Sequence, residues 1–280
     1  MRIQFIELHE QPWLPTTIRD QVMDAMQFGL RLFQGYDKVI PSVVSLLKAT
    51  HDRCVVDLCS GGGGPWFELA HKLDGAGIHR ILLTDKFPNH DVSRRLRDSP
   101  QSLGKIRFYS SSVDAMHIPE NLHGLRTMFS SFHHFPPDAA KEILQKAVDA
   151  GEAICIFEVT KRSALTICLM FPWALMPLLF TPWIRPFRWS RLFWTYTVPI
   201  IPLILLFDGI VSCLRTYWPR EVRKMIDSLQ GASYDWQIRE VTSGFFPTPL
   251  FCLRGGPKHV AGGGAPHADV QDLQRESISG

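Results

Sequence analysis

The chain has 280 residues, of which 45% are apolar, 11% aromatic and 20% charged. That is enough to bury a real core, and it excludes a disordered or collagen-like chain. Thirty Lys and Arg against 27 Asp and Glu leave a formal charge of +3, not the concentrated basic field of a nucleic-acid binder, so no nucleic-acid partner is expected.

Two helices open the chain. Residues 16–34 place Ile18, Val22, Ala25, Met26, Leu30 and Phe33 at helical spacing, with Thr16 or Thr17 as N-cap. Pro41 sits in the first turn of the second, which runs through Val43, Val44, Leu46 and Leu47. From Cys54 short apolar runs alternate with helical stretches: strands at 54–58, 80–84, 106–109, 127–131 and 153–159, helices at 67–73, 92–96 and 138–150. This alternation implies βαβ units and a parallel sheet. From Ala164 to Leu214 the composition changes: 34 of 51 residues are apolar, and the charged ones are Arg185, Arg188, Arg191 and Asp208. Residues 219–229 then read as a helix and 236–241 and 250–253 as late strands forming an antiparallel edge, before a Gly-, Pro- and polar-rich run past Gly255.

Six cysteines, at 54, 59, 155, 168, 213 and 252, form no CxxC pair and no short Cys/His cluster; they read as free thiols, and no metal site is implied. The N-terminus meets Glu7 and His9 before any apolar run of signal-peptide length. Both features favour a cytoplasmic location, or the cytoplasmic side of a membrane.

The most informative stretch is Val55-Val56-Asp57-Leu58-Cys59-Ser60-Gly61-Gly62-Gly63-Gly64-Pro65, an apolar strand ending in an acid and four glycines before a helix. Glycines let a ligand approach backbone closely, and the helix N-terminus suits an anionic group. A dinucleotide fingerprint needs a third Gly three residues after the second; Trp66 or Phe67 stands there.

The stretch resembles the first motif of the class I S-adenosylmethionine-dependent methyltransferases, with Asp57 at the acid position and Cys59, Gly61 and Gly63 at the three glycine positions; Cys59 departs from the usual Gly. Later features fall where that family has its own: Ile81-Leu82-Leu83-Thr84-Asp85 as second strand and acid, Ser112-Val113-Asp114-Ala115-Met116 as third motif, Phe129 to Phe135 as the end of the fourth strand and Ile154 to Glu158 as the fifth. The resemblance implies an α/β fold with a Rossmann-like class I methyltransferase sheet: an N-terminal helical cap (1–50), a cofactor-binding domain (51–163), an apolar helical insertion after the fifth strand (164–214), a C-terminal helix and antiparallel strands (215–254) and a disordered tail (255–280). It implies S-adenosyl-L-methionine as cofactor. Asp57, Ser60, Gly61, Gly62 and Gly63 would hold its methionine end, Asp85 the ribose and Asp114 the adenine, with Cys59, Lys86, Ala115 and Ser130 also at the cofactor.

Methyl transfer is an in-line displacement, so positioning matters most, and a base is needed only for a protonated acceptor. His133 and His134, after the fourth strand, and Glu158, ending the fifth, are the candidate bases. Asp208, alone in an apolar stretch with Arg215 seven residues on, is either a buried ion-pair partner or a substrate-site acid; an Arg partner is expected, since an unpaired buried charge is costly. Trp13, Met26, Phe28 and Tyr36 are candidates to line an acceptor pocket or to pack the core.

Ala164 to Trp183 carries no charge over 20 residues, the length of a membrane span. Prolines at 172, 177, 182, 186, 199 and 202, and three arginines in the connecting segment, speak against a spanning hairpin. A membrane surface is therefore an expected partner, with the arginines and Trp183, Trp189 and Trp194 among headgroups; a soluble lid over a greasy acceptor is the other arrangement. Both imply methylation of a hydrophobic small molecule or lipid-like acceptor. The rival functions are a nicotinamide-dependent oxidoreductase and a non-catalytic membrane-associated cofactor-binding module.

Overall fold

The protein is described by a computed structural model covering residues 2–258 except 35, 50–52, 74, 76, 89–91, 93–103, 232–233 and 243–247. The helix expected over 92–96 falls almost entirely outside the described residues.

Helix α1 (Thr16–Leu32) and α2 (Ile40–Ala49) precede the sheet. Then follow β1 (Cys54–Leu58), α3 (Trp66–Lys72), β2 (Arg80–Leu83), β3 (Ile106–Phe108), β4 (Leu125–Phe129), α4 (Pro137–Asp149) and β5 (Ile154–Glu158). The apolar block forms α5 (Ala164–Phe180) and α6 (Ile200–Arg215), joined by residues 181–199, which hold a 3-10 turn (Thr181–Trp183) and a short helical stretch (Trp189–Thr197), and the chain closes with α7 (Pro219–Asp227), β6 (Tyr234–Val241) and β7 (Leu250–Pro257). Pro15, not a threonine, precedes the first turn of α1, and no side chain caps it.

The seven strands lie in the order β3-β2-β1-β4-β5-β7-β6. β1 to β5 are parallel, while β7 runs antiparallel to both β5 and β6. A dinucleotide fold continues its parallel order past the fifth strand; here the last strand by sequence is reversed and wedged between the fifth and sixth. This is the Rossmann-like methyltransferase sheet.

The central strands β1, β4 and β5 are buried on both faces, as parallel strands under helices must be. Successive residues alternate between two cores: Val55, Ile81, Leu83, Leu125 and Phe157 pack on one face, and Val56, Leu58, Leu82, Met128 and Ile156 on the other. A third cluster lies away from the sheet, where Ile18, Val22 and Ala25 of α1 meet Ala174 of α5 and Ile201, Ile204 and Leu205 of α6.

Several boundaries differ from the sequence reading, two of them with a clear physical reason. β7 continues through Gly255 and Gly256 to Pro257, three residues into the expected tail, because Gly255 is roofed by aromatic rings: a Cβ there would lie 2.4 Å from the Trp236 ring. β4 starts at Leu125, not Thr127; Arg126, a charged residue inside the strand, is buried and donates to the Lys146 carbonyl at 2.9 Å.

Candidate functional site

The loop after β1 is built from left-handed backbone: Cys59 has φ 56°, Gly61 50°, Gly63 100° and Gly64 52°. Cys59 thus occupies, with a Cβ, a conformation that costs a non-glycine residue about 1–3 kcal/mol. Burial, aided by Asp85, Asp57 and Asp114, pushes its thiol pKa up, so it stays protonated.

Asp57 lies under the loop. Its Oδ1 accepts from Thr127 Oγ1 and its Oδ2 from Ser60 Oγ, both at 2.6 Å, and it is 1% exposed. Together they tie the loop and β4 to β1. Burial pushes its pKa up to about 6 against these hydrogen bonds. Asp85, two residues past β2, reaches the loop from the side: Oδ2 accepts from the Gly61 amide and Oδ1 from the Phe87 amide, each at 2.8 Å. Lys86 pairs with Asp114 at 3.1 Å, and Asp114 Oδ1 also accepts from the Met116 amide, with Ala115 buried between. Ser130 lies just past β4 with φ 46°, its Oγ 2.7 Å from Tyr36 Oη. The structure therefore gathers Asp57 to Gly63, Asp85, Lys86, Asp114 and Ser130 around the carboxyl ends of β1 to β4.

Helix α1 covers this loop, which the sequence did not reveal. A Cβ on Gly61 would lie 3.1 Å from Met23, and Gln27 donates to the Gly64 carbonyl at 3.3 Å. Tyr36 is buried in the sheet core and Phe28 packs on Phe180 at 5.8 Å, so these two pack; Trp13 is 65% exposed.

The two histidines after β4 divide sharply. His133 is buried; Glu158 accepts from its backbone N–H at 3.1 Å and contacts its Nδ1 at 2.7 Å, while Glu7 Oε1 lies 3.5 Å from its Nε2. Burial opposes charge on this ring, but the two carboxylates outweigh it and push the pKa up to about 10. His133 is therefore an imidazolium at neutral pH and Glu158 its anchor, which withdraws both from the role of base. His134 stacks on His133 at 4.3 Å. Burial and the neighbouring His133 charge lower its pKa, so it is neutral. Its Nδ1 hydrogen-bonds Glu10, whose pKa His134 and Arg215 bring down to about 2 despite burial. An ionised Glu10 beside a neutral His134 places the proton on Nδ1 and leaves Nε2 as the acceptor.

Glu7, His9 and Glu10 were not singled out from sequence as site residues, and Arg215 only as a neighbour of Asp208. Arg215 Nη1 lies 3.2 Å from Glu7 Oε1 and 3.0 Å from Glu10 Oε2, and Nη2 donates to the His134 carbonyl at 2.8 Å. The expected Arg partner of Asp208 is instead His9: Asp208 Oδ2 is 2.9 Å from its Nδ1, and the carboxylate accepts from the Leu8 and His9 amides at 2.6 and 3.1 Å. The N-terminal segment folds back under α6 and brings its own ring into reach. Glu7, His133 and His134 offer ligand atoms within 4.8 Å of one another. The Arg215 guanidinium already supplies a fixed cation to the carboxylates, so the cluster reads as one that shares protons.

No protein-family profile matches the chain, and no curated protein matches it. Among solved structures it is similar to the mitomycin 7-O-methyltransferase (13% identity, TM-score 0.44, over 78% of this chain and 54% of that one). It is also similar to magnesium protoporphyrin IX methyltransferase of Synechocystis with bound S-adenosylmethionine (11%, 0.41, 89% and 88%) and to a zinc-dependent alcohol dehydrogenase of Rhodobacter sphaeroides (12%, 0.44, 73% and 84%). The chain thus spans about half the length of the first. Likeness of this size does not choose between methyl and hydride transfer. The reversed β7 and Trp66, fully buried against Phe129 where a dinucleotide loop has glycine, are the features that differ from a dinucleotide fold.

An open apolar groove of about 390 Å³ lies between the N-terminal segment and α6, lined by Leu8, Trp13, Leu14, Ile200, Leu203 and Phe207 among others. Leu8 belongs to the same turn as Glu7, His9 and Glu10.

Proposed function

We propose that this chain is an S-adenosylmethionine-dependent methyltransferase acting on a hydrophobic small molecule. The observation that carries the reading is the sheet order with a left-handed glycine loop at the end of β1 and Asp85, from the end of β2, bonded to that loop. The residues fit the cofactor: a side chain at Gly63 would strike Phe67 and one at Gly61 would crowd Met23, so at these two positions the loop brings only backbone to a ligand. Asp85 and Asp114 each keep lone pairs for hydroxyl or amino donors. When bound, S-adenosylmethionine supplies an electrophilic methyl.

The chain's own task is then to orient the acceptor and, for a hydroxyl, to take its proton. His134, neutral and oriented by Glu10, is suited to receive that proton on Nε2, while His133 holds the loop after β4 against Glu158 and Glu7. The apolar groove beside Leu8 supports a hydrophobic acceptor.

The test is calorimetric titration with S-adenosylmethionine, S-adenosylhomocysteine and NADH. Binding of both adenosyl ligands with NADH silent is expected, and Asp85→Ala should weaken it by about tenfold or more, the loss of a charge-assisted hydrogen bond. Binding of NADH alone would overturn the reading.

A further inference from the structure

Helix α5 presents an apolar stripe to the outside. Leu165, Cys168, Phe171, Leu175 and Leu179 are all exposed, and at 3.6 residues per turn they fall within an arc of roughly 120°. Thr166, Ala174 and Pro177 are buried on the rest of the helix. Leu179 is 67% exposed, and the Trp183 and Trp189 rings beyond it are 63% and 78% exposed. α6, packed along α5, adds Leu203 and Phe207. Soluble surfaces rarely leave so much large apolar side chain in water.

The connecting segment decides how such a surface can meet lipid. In a spanning hairpin residues 184–191 would cross to the far side. Instead Arg191 is fully buried, with Nη2 bonded to Asp24 of α1 at 2.5 Å and Nη1 donating to the Ile184 and Pro186 carbonyls at 3.0 Å. Gln21 of α1 donates to Ser190 Oγ at 3.1 Å. α1 is the helix that covers the glycine loop, so the segment stays on the same side as the candidate active site. This corrects the expectation that all three arginines sit among headgroups: Arg188 also approaches Asp24, at 3.5 Å, and Trp194 is half-buried. Arg185 is exposed, and no Asp or Glu lies between 164 and 207.

We propose that this face docks on an anionic lipid bilayer, with the α5 stripe seated in one leaflet and without crossing it. The aromatic rings beside an acid-free segment carrying arginine match the headgroup boundary, where Trp and cations gather. The proposal does not depend on methyl transfer.

The test is flotation of the full chain with phosphatidylcholine vesicles, with and without phosphatidylglycerol. The protein should float with both, more strongly with the anionic lipid, and the Leu175→Glu/Leu179→Glu variant should lose binding by about tenfold or more while melting at the same temperature. A Leu203→Glu variant gives an independent reading on α6. With protein added to sealed vesicles, Cys168 should become protected from a membrane-impermeant maleimide, while the thiol introduced by W189C stays reactive. Three outcomes would overturn the proposal: no flotation of the unaltered chain, protection of the 189 thiol, which would mean crossing, or a dimer in light scattering without lipid that the double Glu variant dissolves, which would mean a second copy covers the face.

Discussion

His133 and His134 are adjacent in sequence and chemically opposite. One is clamped between two carboxylates and charged; the other lies beside that charge and is neutral. His134→Gln should lower turnover by about 10²- to 10⁴-fold, the usual range for a positioned base, with calorimetric affinity for the adenosyl ligand unchanged. His133→Gln should instead lower the melting temperature. Asp57 offers a second test. Its folded pKa, about 6, lies above its ordinary value of 3.8, so the ionised form opposes folding, from nothing below the unfolded value to fully above about 6. Asp57→Asn should then raise the melting temperature at pH 8 and leave it unchanged at pH 4; a drop at pH 8 would mean that the charge itself holds the loop.

At the scale of elements, the helices and strands carrying regular apolar patterns were legible, because period alone tells helix from strand. What escaped was polar residues whose partners lie far away in sequence. Arg126 hid the start of β4, Gly255 hid the end of β7, and Arg191 looked like a headgroup ligand. The Arg191–Asp24 pair joins the insertion to α1 across a buried interface. Arg191→Met takes the 2.5 Å partner from a buried carboxylate that Arg188 reaches at 3.5 Å, so it should cost up to about 3–5 kcal/mol by urea denaturation, and adding Asp24→Asn should recover part of it. A cost below about 1 kcal/mol would place the pair in the class of surface ion pairs.

Across the whole molecule, the buried titratable groups set a pH window for stability. Glu7 and Glu10 have lowered pKa values, Glu10 to about 2, so their contribution is full above the unfolded value near 4.5 and is lost as pH falls. His133 and His9 are raised, His133 to about 10, so theirs is full below about 6.5 and is lost as pH rises. Stability should therefore peak between about pH 4.5 and 6.5, and thermal melts across pH 3 to 10 check it; a maximum above pH 8 would contradict the charged state of His133.

By itself the sequence determined the α/β class, the strand that carries the glycine loop, Asp57, Asp85 and Asp114, and the apolar insertion after the fifth strand. Each of these depends on local period or on spacing within a few dozen residues. The tertiary structure alone decided that Glu7, His9 and Glu10 meet His133, His134, Asp208 and Arg215, which of two adjacent histidines stays neutral, and on which side of the insertion its arginines lie. Those outcomes depend on which charges become neighbours once the chain is folded, and burial makes those few contacts decisive.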